Sequence, residues 1–255
     1  VTLVAGGGSE LKVTLQLPSF LQFAGVDTQP RTTVSVTPAG TATLDGVTIG
    51  PIDAALGPVG VSDLKLTYTG ATRIWRGTGR LCIEVACLKA DPPIGGVAIR
   101  DGELLGFYAE VDFTPGIPLF PGVMLDRVGA GMYLQPTRLL GRMGVTAAGI
   151  FKIDGRLVLA FPSSAAPFTL TSEEAGGAFP PEFYQRRYTT FTMAIGAEGS
   201  LKVPYIDTEI PLGRAYLLYS APGYVAFGGR IDWDFFDIVS VTGGANGEFN
   251  AERGK

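Results

Sequence analysis

The chain has 255 residues, 20 Lys and Arg against 24 Asp and Glu for a net charge of −4, and no His. Charged residues make up only 17% and apolar ones 46%, which excludes a disordered polyelectrolyte, and no basic run exceeds Arg186-Arg187, which excludes the electrostatic footprint of a nucleic-acid binder. The 36 Gly and 18 Pro lack a collagen period and announce many turns, and an all-β chain of this length is routinely one domain.

The chain starts at Val1 without the basic flank and apolar core of a signal peptide, and it ends at Lys255 soon after an apolar segment. A mature form, or a single all-β domain (residues 1–255) excised from a longer repetitive chain, is expected. No segment reaches the roughly 18 apolar residues of a spanning helix. Arg outnumbers Lys and Asn occurs only at Asn246 and Asn250, a bias expected of a GC-rich bacterial source. Gly6-Gly7-Gly8-Ser9 lacks the Gly-Lys-Ser/Thr ending of a phosphate cradle and reads as a flexible link.

Strand candidates follow at Leu11–Leu17 and Thr32–Thr37, rich in β-branched residues. Asp-Gly pairs stand at Asp45-Gly46, Asp101-Gly102 and Asp154-Gly155, each between apolar flanks. Both central positions of a tight hairpin turn need positive φ, which Asp and Gly tolerate, so three hairpins are expected there, with a decayed fourth copy at Asp207. A second pattern recurs at Tyr68–Ile74, Tyr133–Leu139 and Tyr219–Val225: an apolar lead into Tyr, a small or Pro-bearing tetrad, then an apolar restart. It predicts a hairpin used three times.

Cys82 and Cys87 lie five apart, and on one straight strand their Cα atoms would be roughly 16 Å apart, beyond a disulfide's reach. Only a tight reversal over 83–86 joins them; a disulfide in an exported protein and two free thiols stand as equal alternatives. With no His and no second Cys pair, no metal site and no cofactor is expected.

Further strand candidates are Leu104–Phe113, Val145–Ile153 and Thr190–Ile195, and no window carries a helical apolar stripe of useful length. Leu157–Phe161 and Ala215–Tyr219 are apolar on both parities, so both faces of those strands meet something dry. The longest irregular stretch, 162–187, holds one short strand candidate at Phe168–Thr171 and ends in aromatic and basic residues. Phe183, Tyr184, Arg186 and Arg187 are the candidate binding loop for a glycan, a carboxylate or a protein, the plainer reading being a loop anchored on the sheet by its own rings.

In Arg230 to Phe235 the carboxylates Asp232 and Asp234 share a strand face with Arg230, opposite Ile231 and Trp233. They are weak candidates for acid–base work on a polysaccharide, the plainer reading being a solvated face with Arg230 and Asp232 compensating each other. Without His or a Gly-x-Ser-x-Gly elbow, the familiar nucleophilic triads are absent.

The fold expected is therefore all-β: antiparallel hairpins repeated into an elongated solenoid-like or curved-sheet architecture, with a sandwich or barrel as alternatives. The function expected is a non-enzymatic structural or interaction domain of a larger extracellular or cell-surface β-repeat protein. Its partners would be neighbouring repeats or another protein. The alternatives are an amphipathic β-groove for lipid or another apolar ligand, a polysaccharide-acting enzyme, and an outer-membrane barrel. The barrel ranks last because the sequence shows no clean polar-in, apolar-out alternation.

Overall fold

The computed structural model describes residues 2–3, 11–12, 31–36, 42–56, 59–83, 86–90, 96–203, 208–235 and 239–251. The Gly6–Ser9 link, most of the Leu11–Leu17 strand and Asp207 lie outside them. A small pair, β1 (Thr2–Leu3) and β2 (Leu11–Lys12), stands apart from the main sheet. The main sheet begins with β3 (Arg31–Val36), β4 (Ala42–Leu56), β5 (Val59–Thr69), β6 (Ile74–Ile83), β7 (Ala86–Ala90) and β8 (Gly96–Arg100). It continues through β9 (Glu103–Phe120), β10 (Val123–Leu134), β11 (Thr137–Ala147) and β12 (Phe151–Phe161). An insertion then carries β13 (Phe168–Thr169), α1 (Ser172–Ala175), α2 (Pro181–Gln185) and β14 (Arg187–Tyr188), before β15 (Thr192–Val203), β16 (Thr208–Ser220), β17 (Tyr224–Phe235) and β18 (Val239–Asn250) complete the sheet.

The protein is all-β, built from consecutive antiparallel hairpins into one 14-stranded sheet that is not closed into a barrel. Among the described residues every pairing is antiparallel, and β7 and β8 share one lane between β6 and β9. All three Tyr segments are hairpins. Thr69 pairs with Ile74, Leu134 with Thr137 across Gln135-Pro136, and Ser220 with Tyr224 across Ala221–Gly223. In an up-and-down meander these three turns fall at one end of the sheet, the Tyr end, where the insertion also leaves and returns.

The Asp-Gly pairs divide. Asp101-Gly102 makes the expected two-residue turn, with φ of 50° and 87° and Arg100 paired to Glu103. Asp45-Gly46 instead sits inside β4, at a bulge against β3, and Asp154-Gly155 lies within β12. The turn before β12 falls at Ala148-Gly149, with φ of 51° and 73°, so the Val145–Ile153 strand candidate straddles a reversal. Asp154 stays extended because its carboxylate is gripped from the neighbouring strand by Arg142.

Cys82 and Cys87 face each other directly across β6 and β7, joined by a disulfide with their Cα atoms 4.0 Å apart. Closing so short a loop removes modest entropy from the unfolded chain. Replacing both with serine should lower the urea-unfolding free energy by about 2 kcal/mol, and an unchanged midpoint would show the bond constrains nothing.

Directly opposed residues project to one face, so the register assigns each side chain to a face. On the inner face Tyr108, Gly131, Leu140, Val158, Ala194, Leu218 and Ala226 form a single row across seven strands. Onto this row the insertion folds Phe168, Leu170, Ala175, Ala178, Phe179, Phe183 and Tyr188, all buried. Phe179 and Phe183 stack on Tyr216 with ring centroids 5.0 and 5.5 Å away. Gly196 permits the close approach, since a Cβ there would lie 2.4 Å from the Ala175 carbonyl.

Two short helices in the insertion escape a sequence reading because each is held by local chemistry rather than an apolar stripe. Thr171 and Glu174 form a reciprocal capping box at α1, Gly176 closes it at φ 73°, and Pro181 opens α2.

Candidate functional site

The two faces of β9–β18 differ in the charge they carry. Outward, one row reads Phe107, Met132, Leu139, Leu159, Met193, Tyr219, Val225 and Phe249. The next reads Ala109, Ala130, Gly141, Leu157, Ile195, Leu217, Phe227 and Gly247. A third runs from Val111 through Val128 and Met143 to Ala245, and a fourth from Leu125 through Val145 and Ile153 to Ile231 and Gly243. These four rows contain no charged, amide or Ser/Thr side chain. Many of their large members are exposed, among them Met143 at 53%, Phe227 at 54%, Ile231 at 56% and Phe249 at 63%, and the others named above, such as Leu159 and Met193, are partly exposed. A polar-in, apolar-out alternation is therefore present where the inner face is not covered by the insertion, whereas under the insertion both faces are apolar; the many Gly and Ala in these rows blur the alternation when hydropathy alone is read.

Inward, away from the insertion, the rows are ionic. Glu110, Gly129, Arg142, Arg156 and Gly196 precede Tyr216 in one, and Asp112, Arg127, Gly144, Asp154, Glu198, Arg214 and Arg230 form the next. Asp154 is the hub, taking Arg142 Nη2 at 2.8 Å with Arg156 at 3.5 Å and Arg127 at 3.7 Å. Arg142 also reaches Glu110 at 3.0 Å, and Arg127 holds Asp112 at 2.6 Å alongside Lys89. Burial works to raise the Asp112 carboxyl, but hydrogen bonds from Arg127 and Lys89 outweigh it and hold it below its ordinary range. Burial likewise disfavours the Arg142 cation, yet Asp154 and Glu110 raise its pKa on balance. Tyr108, donating to Glu110 at 3.3 Å, is pushed up to about 12 by burial and then by the Glu110 charge. Burial also raises Glu198, with Arg156 pulling the other way.

Arg127, Arg142, Asp154, Arg156, Glu198 and Arg214 line a cavity of about 870 Å³ on the inner face, bordered by Lys152, Lys202, Glu209 and Asp232 as well. A smaller cleft of about 690 Å³ lies between the insertion and β16–β18, with Phe179, Tyr184, Tyr216, Arg214, Arg230 and Asn246 on its walls. The insertion is fastened over this face by three arginines from three strands. Arg138 Nε donates to Glu174 at 2.7 Å, Arg156 donates to the Glu173 carbonyl, and Arg214 donates to the Gly177 carbonyl at 2.9 Å.

Of the residues singled out from sequence, Phe183 is 2% exposed and belongs to the core. The Tyr184 hydroxyl accepts from the Phe179 amide, and its ring borders the smaller cleft. Arg186 lies over the Tyr224 ring at 4.5 Å, whereas Arg187 is exposed in β14. Asp232 pairs with Arg230 at 3.1 Å and reaches the rim of the larger cavity; Asp234 follows on the same face, opposite Ser240. The ladder of Arg127, Arg142, Asp154 and Glu198 went unnoticed in the sequence. Its signal was parity: Glu110 and Asp112, Arg138 and Arg142, Asp154 and Arg156 each share one face of their strand.

Chemically, the ladder joins opposite charges across β9–β12, Arg142 to Glu110 and Asp154 and Arg127 to Asp112, and so braces the sheet. Comparison with protein-family models, with curated proteins and with solved structures returned no match.

Proposed function

We propose that this protein is a non-enzymatic contact module that works through the outer face of its sheet, and that lipid hydrocarbon covers that face. The single observation carrying this reading is the set of four outer rows without a charged, amide or Ser/Thr side chain. Protein–protein interfaces carry a polar rim and about one hydrogen bond per 100–200 Å². Acyl chains need none. Each large side chain withdrawn from water would contribute on the order of 1–2 kcal/mol.

The distribution of rings adds support. Phe161, Tyr219 and Phe249 gather at the Tyr end, with Phe120 and Phe151 at the other, and Phe151 and Phe161 stand roughly 33 Å apart along β12. Aromatic side chains favour lipid–water boundaries, and the hydrocarbon layer is about 30 Å thick. Spanning a bilayer would further require both sheet edges to be paired. No helix among the described residues is long and apolar enough to cross a membrane, and strands are the elements concerned here.

The test is flotation with phosphatidylcholine vesicles, together with solvent extraction and mass spectrometry of protein purified without detergent. Wild type should float or carry lipid, and Phe227→Asp with Ile231→Asp should cut flotation at least tenfold while the circular dichroism stays unchanged. A wild type that neither floats nor yields lipid removes the reading.

A second reading, a structural domain within a larger extracellular or cell-surface β-repeat assembly, draws on a separate observation. Among the described residues β3 and β18 each pair on one side only. Neighbouring strands would complete them.

A further inference from the structure

We infer that the edge of β18 that meets no other described strand accepts one added strand, from a protein segment that alternates apolar with acidic residues. This does not rest on the lipid reading. The edge is unusually receptive. β18 runs for 12 residues in unbroken register with β17, whereas β3 at the opposite edge has six. Natural edge strands are blunted by lysine, proline or a bulge, and β18 has none of these; Glu248 is its one charge. Positions 240–246 are exposed throughout.

What turns an open edge into a recognition site is a recess on each face at the same residues. The aromatic and guanidinium cleft on the inner face, of about 690 Å³, reaches β18 all along 242–246. An apolar trough of about 760 Å³ on the outer face, walled by Ile153 and Ile231 over a floor that includes Ala215, reaches it over 243–245. An added strand would send successive side chains alternately into the two. Backbone hydrogen bonds then supply affinity, and the recesses supply selectivity.

The recesses also define the segment's chemistry. The outer trough takes an aliphatic side chain. Among the described residues the inner cleft is lined by Arg214 and Arg230 and by no carboxylate; Asp232 holds Arg230 at 3.1 Å from outside the lining and Arg214 donates to the Gly177 carbonyl, and the remaining N–H groups of the two guanidinium forks favour an acidic side chain there. The β18 sequence itself supplies only Glu248 as an acidic residue, so a second copy of this edge matches poorly.

The probe is an end-capped nine-residue peptide alternating valine and glutamate, with a valine and lysine peptide as control, read by hydrogen-exchange mass spectrometry on the full chain. Exchange over 239–250 should slow at least tenfold with the glutamate peptide and not with the lysine peptide, and Asn246→Glu should abolish the effect without altering exchange in β12 or β15. Three results would overturn the inference: no change at β18 with either peptide, equal protection by both, or protection of β18 in the free protein that disappears on dilution, which would mark a second copy as the occupant.

Discussion

Arg138→Met should destabilise the protein by about 3–5 kcal/mol, because it strands a buried carboxylate. The Glu174 side chain is only 2% exposed, and its Oε1 takes the Arg138 Nε at 2.7 Å. Methionine keeps much of the stem volume, so what is lost is chiefly the charge partner, along with the guanidinium stacked 4.5 Å above the Tyr133 ring. The companion change Glu174→Met should recover part of the loss, since replacing both members of a buried pair by apolar groups is often neutral, while the capping bond from the Thr171 amide is given up. Urea unfolding followed by circular dichroism measures both. If the single variant unfolds at the wild-type midpoint, the insertion is not fastened by this pair.

A loss of similar size, about 3–5 kcal/mol, is expected for Phe183→Ala. Phe183 is among the most deeply buried large side chains, lying between Phe179 and Tyr216. Removing its ring opens a cavity that the row beneath cannot fill, because Val158, Ala194 and Ala226 are anchored on strands paired on both sides. Arg187→Ala, four residues on and exposed, should stay within about 0.5 kcal/mol. The pair of measurements separates core from surface within a segment whose composition reads as a binding loop. Comparable effects from both substitutions would contradict the burial described for Phe183.

The Tyr hairpins were legible because turn chemistry is local: Pro136 and Pro222 cannot extend a strand, and small residues around them let the chain reverse. Asp154-Gly155 misled for the complementary reason. Its dipeptide suits a tight turn, yet the carboxylate is worth more to the sheet as the centre of the Arg127, Arg142 and Arg156 ladder, and that ladder exists only once β10, β11 and β12 are aligned. Ala148 at positive φ carries no warning in its side chain. The apolar character of both faces at Leu157–Phe161 was likewise readable, though what covers the inner face was not: it is the insertion, whose apolar residues are too irregularly spaced to announce a partner.

By itself the sequence determined that this chain is all-β, that it reverses at three Tyr-led turns, and that it lacks the histidine on which common hydrolytic sites depend. These follow from residue type and local backbone preference. Only the tertiary structure decided that the charged rows share one face with the insertion while the other face is apolar, that Phe183 is core, and that β18 meets no second described strand. Each of those is a relation between strands set by register, and register is the sum of cross-strand pairings that no single segment contains.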